Sequence, residues 1–326
     1  MAATVTYMGA DNKVTTDMAA ERALYLKMFS GEVLTAFPEF TSFIDKVKVR
    51  TLKSGKSAQF PLVGRMPAAV YHTPGNELLG QEAPLSEVTI SIDRLLVSHL
   101  FVDGLDEKLA HFDARSELSR NMARRLAQTY DQHVARNVIL AAQQSALITG
   151  DTTMGGLVIT DADLGSGVAA TKMAGWMDAF NTARTNFDDK WVNDGTIWCA
   201  LKPADFYFLV QQAMASGYSL MDTRIGGAGD IAGGNLPRVL GIELVSFTGL
   251  PTGNESGDAF HGVDCRNTSG LIWTKGAVGT VKAADIAVET EYKVNYQGTL
   301  VVAKSAMGHG PLQGECAIHL RTAAPV

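Results

Sequence analysis

The chain has 326 residues, 46% of them hydrophobic and 19% charged, with 32 Gly, a formal net charge of −6 and a pI near 5.7. That length can bury a sizeable core, in two lobes rather than one. The acidic balance excludes sequence-independent gripping of nucleic acid, which depends on clustered Lys and Arg neutralising phosphates.

The opening stretch, MAATVTYMGADNKVTTDM, lacks the basic start and apolar run of a signal peptide. Nowhere do about 18 apolar residues follow one another. The expectation is a soluble protein made in a cytoplasm, with no membrane partner. Cys199, Cys265 and Cys316 lie far apart, with neither a CxxC pair nor an even disulfide framework, and fit a reducing compartment.

Residues 1 to about 20 are small, polar and aperiodic, and read as a flexible arm that orders only against something else. Leu24, Leu26, Met28, Phe29 and Val33 then suggest a short helix from Met18 to Leu34, broken by Gly31.

Lys46-Val47-Lys48-Val49-Arg50 alternates with period two, as does Glu87 to Asp93, the pattern of half-buried strands. Between Lys46 and Asn76 there is no acid but six basic residues, Lys46, Lys48, Arg50, Lys53, Lys56 and Arg65. Acids return at Glu77, Glu82, Glu87 and Asp93. Paired antiparallel, the two limbs form a long hairpin with opposed charges, each cross-strand pair contributing roughly 0.2–1 kcal/mol. At about 3.3 Å per residue such a hairpin reaches some 65 Å. Isolated ribbons are marginal in water, so an excursion of this size makes most sense lying on another subunit. The alternative is an ordinary meander in a larger sheet.

After a turn at Asp103-Gly104 the chain has no Gly or Pro from Asp113 to Leu147. Leu118, Met122, Leu126, Tyr130, Val134 and Val138 recur every fourth residue, with Ala123, Ala127 and Ala135 on the same side, which makes one apolar stripe on a helix. With Asp113 as N-cap, the helix would span about 50 Å and act as a spine. Arg115, Arg120, Arg124, Arg125 and Arg136 decorate it, either as a solvated face or as contacts to acids of a neighbouring subunit.

Residues 150–270 are richer in Gly, Ala, Thr and Asp. A helix is expected over Lys172 to Phe187, a strand over Thr196 to Leu201, a helix after Pro203 and a strand over Gly241 to Phe247, together a mixed α/β lobe. The chain closes with strands at Asp285 to Glu289, Thr299 to Ala303 and Ala317 to Leu320. A first lobe made of the spine and these returning strands, with the second lobe inserted between, follows.

Sites of chemistry are weak. Gly226 to Gly234 has the local form G-x-G-x-x-A but follows no apolar strand, and its glycines better suit a crowded meeting of backbones. Ser54-Gly55-Lys56-Ser57 lacks the first glycine of a phosphate-binding loop, since Arg50 stands there. The seven histidines form no HExxH or zinc spacing, and no G-x-S-x-G elbow occurs. No catalytic residue, cofactor or metal is assigned.

Several segments together resemble a known family. Ala23 to Lys27 with Gly31 to Phe37, Ser54 to Pro61 with Gly64-Arg65, Ile92-Asp93, Asp113 to Glu117, Ala277 to Lys282 and Ala306 to Gly310 closely resemble, in order, the major capsid proteins of the T-seven group of short-tailed phages. The likeness is weakest between about residues 140 and 270.

The resemblance implies an α+β chain with the Hong Kong 97 capsid fold. Its parts would be an N-terminal arm (1–44), an extended β-hairpin loop (45–95), a peripheral domain with the spine helix (96–150 and 271–326) and an α/β axial domain (151–270). It further implies a non-enzymatic virion subunit that self-assembles into hexamers and pentamers of an icosahedral head, through a scaffolded procapsid that expands on maturation. The implied partners are copies of itself, a scaffolding protein, a portal protein at one vertex, packaged double-stranded DNA held without sequence-specific binding, and a decoration protein. Contacts between subunits are expected at Lys53, Lys56, Arg65, Glu77, Glu82, Arg115, Glu117, Arg120 and Arg124. An encapsulin-like compartment shell and a soluble α/β enzyme are the rival readings.

Overall fold

The computed structural model describes residues 41–64, 66, 69, 71–72, 75, 77, 80, 84–103, 114–148, 155–192, 195–215 and 238–324. The expected arm and its short helix, the turn at Asp103-Gly104 with the cap at Asp113, and the glycine loop at 226–234 lie outside them. The chain divides into two compact units, Met1–Thr41 with Leu95–Gln128 and Ala284–Ala306, and Ser42–Arg94 with Thr129–Ala283 and Met307–Val326.

The second unit is organised by a six-stranded sheet of order β5-β12-β9-β6-β8-β7. Its strands are β5 (Leu157–Thr160), β6 (Ile197–Leu201), β7 (Arg238–Val239), β8 (Ile242–Ser246), β9 (Thr268–Trp273) and β12 (Ala317–Arg321). The expected strands at 196–201, 241–247 and 317–320 are β6, β8 and β12. Central β9 is buried at all six positions, which is why its sequence, TSGLIW, runs apolar or small without alternating.

Helix α2 (Ala169–Asp189), which contains the expected Lys172 to Phe187, buries Trp176, Ala179, Phe180, Ala183 and Phe187. Helix α3 (Pro203–Ala215) starts at its proline, where the missing N–H would have had no helical partner. Lys172 Nζ of α2 reaches Asp205 Oδ1 of α3 at 2.6 Å and sits 4.7 Å from the Phe208 ring centre. Phe43 caps another part of this core, 5.1 Å from the Trp273 ring and 4.6 Å from Phe247, and Trp273 Nε1 donates to the Lys46 carbonyl.

The long helix is α1 (Ala114–Gln143). In the first unit its Met122, Ala123, Leu126 and Ala127 are buried, and in the second its Tyr130, Val134, Ala135, Val138 and Ile139. The fourfold stripe is therefore the packed side of the helix. It ends at Gln143, four residues before Leu147, where the chain turns so that the Gly156 N–H donates to the Gln144 carbonyl. A side chain at Gly156 would collide with the Ala142 carbonyl, so the close approach requires glycine.

Strands β10 (Val278–Lys293) and β11 (Gly298–Pro311) are longer than the segments Asp285 to Glu289 and Thr299 to Ala303 that alternation picked out. In the first unit β11 pairs antiparallel with β4 (Leu96–Asp103), Gly298 opposite Asp103. In the second, β1 (Lys48–Thr51) pairs parallel with the start of β10, Lys48 opposite Gly279.

The hairpin is β2 (Ser57–Val63) against β3 (Leu85–Ser91), antiparallel with Ser57 opposite Ser91 and Val63 opposite Leu85. It corrects the expected limbs. Of the basic stretch, Lys48 to Arg50 belong to β1, which lies beside β10 and not beside the acidic limb, and Lys46 ends a short 3-10 turn. Strand β2 carries no charge, and the single acid of β3, Glu87, stands opposite Pro61 and accepts from the Gln59 amide at 3.3 Å. The opposed-charge ladder therefore does not exist among the described residues. Alternation drives this pairing instead: Ala58, Phe60 and Ile90 face inward onto Val281 and Leu312, and burying a Phe or Ile contributes about 1.5–3 kcal/mol.

Candidate assembly surfaces and a buried histidine cluster

The strand pleat gives the hairpin two faces of opposite character. Burial along β2 alternates strictly, leaving Ser57, Gln59, Pro61 and Val63 exposed, and β3 exposes Leu85, Glu87, Thr89 and Ser91. Val63 is 60% and Leu85 71% exposed, and they stand directly opposite each other. Past the bond from Gly64 N–H to the Pro84 carbonyl at 2.8 Å, Met66 is also exposed and Tyr71 is fully open to solvent. Opposed apolar side chains left open on a narrow ribbon are costly in water and make this face a candidate contact surface.

The first unit carries a second apolar surface. β4 alternates so that Val97, His99 and Phe101 point outward. The turn between β10 and β11 adds Val294 and Tyr296, whose ring meets Phe101 edge-on at 6.3 Å. Gln297 holds the turn from a left-handed backbone (φ 50), its amide donating to the Val294 carbonyl at 2.9 Å. Gly298 must be glycine, because a Cβ there would collide with the Phe101 ring. Beside this tip Lys304 pairs with Glu289 and Lys293 with Glu291.

The residues expected at contacts fall on several elements. Lys53 and Lys56 are exposed in the turn between β1 and β2, which needs Gly55 at φ +106. Glu77 is exposed, and Arg120 and Arg124 share one exposed face of α1. Arg115 and Glu117 lie in the first turn of α1 with their side chains outside the described residues, as are Arg65 and Glu82 altogether. Of the nine, the described residues bring together two pairs, Lys53 with Lys56 in one turn and Arg120 with Arg124 on one helix face. Arg136 is neither solvated nor free for a neighbour: it pairs within its own chain with Glu255 and, at 2.7 Å, with Asp258. Arg50 likewise reaches the Gln59 carbonyl of its own hairpin.

Within the second unit lies a buried polar cluster that spacing did not reveal, since its members are far apart in the chain. The rings of His133 on α1, His261 in the loop before β9 and His309 on β11 are separated by 4.7, 5.7 and 6.0 Å. His261 Nε2 lies 2.9 Å from Asp93 Oδ2 and its Nδ1 3.1 Å from Asn137 Nδ2, which also donates to the His133 carbonyl at 2.8 Å. His309 Nδ1 meets the Thr280 hydroxyl at 3.0 Å, and Tyr130 packs edge-on to the His309 ring.

Burial, helped by the neighbouring His261 and Arg136, pulls His133 down to about 4, and burial with His261, His133 and Lys282 holds His309 well below the usual imidazole range. Burial also pushes the Tyr130 phenol up to about 12 and Asp131 up to about 6, the latter against two backbone N–H donors, Ser42 and Phe43. Among the described residues no group of His, Cys, Asp and Glu is arranged to hold a metal, and no helix is long and apolar enough to cross a membrane. The three cysteines are buried thiols, Cys265 pushed up to about 12 by burial.

A long packed helix, a hairpin with one dry face and a sheet-centred α/β body match those of capsid subunits with the Hong Kong 97 fold. The capsid of cyanophage P-SCSP1u matches with a TM-score of 0.71 at 32% identity, covering 87% of this chain and 89% of that one. The mature capsid of bacteriophage PhiM1 matches with a TM-score of 0.69 at 14% identity over 88% of each chain, a likeness of fold alone. In sequence, the major capsid protein of Escherichia phage T7 is 30% identical, with 90% of each chain covered. The family model for Gp10A-like major capsid proteins matches residues 59–321, and the chain belongs to that family. It is a structural subunit of a tailed-phage virion, and the capsid is built from many copies of it. These relatives support the capsid reading over the compartment-shell alternative.

Proposed function

We propose that this chain tiles as hexamers and pentamers into a closed icosahedral shell that encloses double-stranded DNA, assembling on a scaffolding protein with a portal at one vertex, then expanding as the genome enters. The observation that carries the contact mode is the hairpin's outer face, where Val63 and Leu85 stand opposed and open. In this reading the loop of residues 45–95 lies across an adjacent subunit, which covers that patch. Lys53, Lys56, Arg65, Glu77 and Glu82 flank the contact, and Arg115, Glu117, Arg120 and Arg124 of the spine helix meet neighbours.

Each exposed ion pair contributes little, about 0–1 kcal/mol, but repetition over a closed symmetric shell multiplies small terms. The division into arm (1–44), loop (45–95), peripheral domain (96–150 and 271–326) and axial domain (151–270) belongs to the same proposal. The net charge of −6 suits a wall that must not trap the DNA driven against it. Electron microscopy of the chain co-expressed with a candidate scaffolding protein tests this: uniform closed shells are expected, and small discrete oligomers alone would overturn it.

A further inference from the structure

We propose that the Asp93–His261–Asn137 hydrogen-bonded chain, stacked against His133 and His309, is a proton-sensitive latch that fastens the root of the extended hairpin and the loop 255–263 to the long helix and lets go on acidification.

The argument starts from valence. Asp93 is an acceptor, so the 2.9 Å contact requires His261 to donate from Nε2. Asn137 Nδ2 donates to the His133 carbonyl at 2.8 Å, which fixes that atom as the amide nitrogen, so its second hydrogen must point to an unprotonated His261 Nδ1. Only the neutral Nε2–H tautomer satisfies every contact. A proton added at Nδ1 sets donor against donor, and turning the amide over would give up the His133 carbonyl.

The surroundings make charging worse. His133 and His309 crowd the same space within 6.0 Å, and three imidazolium ions cannot share a buried site. From α1, Tyr130, His133 and Arg136 face the cluster. From the loop, Glu255 and Asp258 hold Arg136, and from β10 Thr280 and Lys282 approach His309. Two carboxylates, Asp93 and Asp258, favour charge at His133, but burial, His261 and Arg136 outweigh them.

What the latch holds is specific. Asp93 ends the hairpin's second limb, and its N–H donates to the Met307 carbonyl at 3.1 Å. The adjoining Arg94 lies 5.8 Å from the Phe260 ring centre. Gly308 admits the Ser91–Ile92 backbone so closely that any Cβ would collide with the Ser91 carbonyl. Release of His261 therefore frees the hairpin root and the loop 255–263 together.

Hydrogen exchange of the full-length chain at pH 7.5 and 5.0, corrected for intrinsic exchange, tests it. His133, which titrates at about 4 when closed and would titrate at about 6.5 when open, favours opening roughly 30-fold at pH 5.0. Amides of residues 88–95 and 255–263 should lose at least that much protection, while α2, which contains no histidine, changes little. The variant H133Q/H309Q should flatten the response. H133Q alone is made beside it, because His133 is the least buried of the three and its replacement leaves the core intact. A flat wild-type profile, equal losses in α2, or an unchanged pH response in whichever variant folds would overturn the proposal.

Discussion

The strand β9 and the hairpin strand β2 bury their side chains to opposite extents: all six residues of β9 are inaccessible, whereas β2 alternates and leaves half of its residues open. The first is completed by its own chain, with β12 on one side and β6 on the other. The second is a ribbon of two strands whose inner face finds Val281 and Leu312 and whose outer face leaves Val63 and Leu85 largely exposed. One region is closed by its own chain; the other, in the function proposed above, is covered by a neighbour. Substitutions in the two should therefore separate folding from assembly.

The largest effect belongs to the completed region. Trp273→Ala removes a fully buried indole that contacts Phe43 and donates to the Lys46 carbonyl, and a large-to-small change of this kind costs about 3–5 kcal/mol. Denaturant unfolding of the unassembled chain should show a loss of that size. A loss under about 1 kcal/mol would mean that the sheet is not where stability lies.

Next comes His319 on β12. Thr268 Oγ1 donates to the Cys265 carbonyl and so can only accept from His319 Nε2, which leaves Nδ1 bare and without a hydrogen-bond partner. Burial pulls the ring down to about 4. A folded value below the unfolded one means that protonation favours the unfolded chain: stability is complete above pH 6.5 and falls as pH drops from 6.5 towards 4. At pH 5.0 the loss is about 30-fold in the folding constant. His319→Gln should narrow the gap between denaturation midpoints at pH 7.5 and 5.0 without abolishing it, since the histidine cluster titrates too. An unchanged gap would refute the assignment.

A smaller cost is expected at the first unit's tip. Gly298→Ala drives a methyl into the Phe101 ring, and such overpacking costs about 1–3 kcal/mol. Pairing it with Phe101→Ala should recover part of that loss in a double-mutant cycle. Strictly additive effects would place the clash elsewhere.

Legibility in the sequence followed the range of the signal. The α1 stripe, the strands β6, β8 and β12 and the start of α3 at Pro203 were readable because period and proline act locally. The hairpin was readable from the alternation of Glu87 to Asp93, but its partner limb was misplaced. Lys46 to Arg50 alternates equally well, and its second half, from Lys48, is claimed by β10, which is more than 200 residues away in sequence. Charge complementarity was the wrong guide, since the pairing is driven by Phe60 and Ile90. The histidine cluster and the inward turn of Arg136 left no trace, because their partners meet only through tertiary structure.

The smallest effect on folding should carry the largest on assembly. Val63 and Leu85 face each other on the hairpin's outer side, and replacing both with Ser gives up little beyond their own cross-strand contact. Surface changes of this sort stay within about 0.5 kcal/mol, so the denaturation midpoint of the subunit should hardly move. Covering these two side chains in a shell would contribute about 1.5–3 kcal/mol each, and every copy in the shell would lose it. Shell yield in sedimentation should therefore collapse while the subunit stays folded. Normal yield from the double variant would mean that the outer face of the hairpin stays wet in the capsid. The subunit contact would then have to be sought at the Phe101–Tyr296 tip, where Phe101→Ser makes the same demand on the same assay.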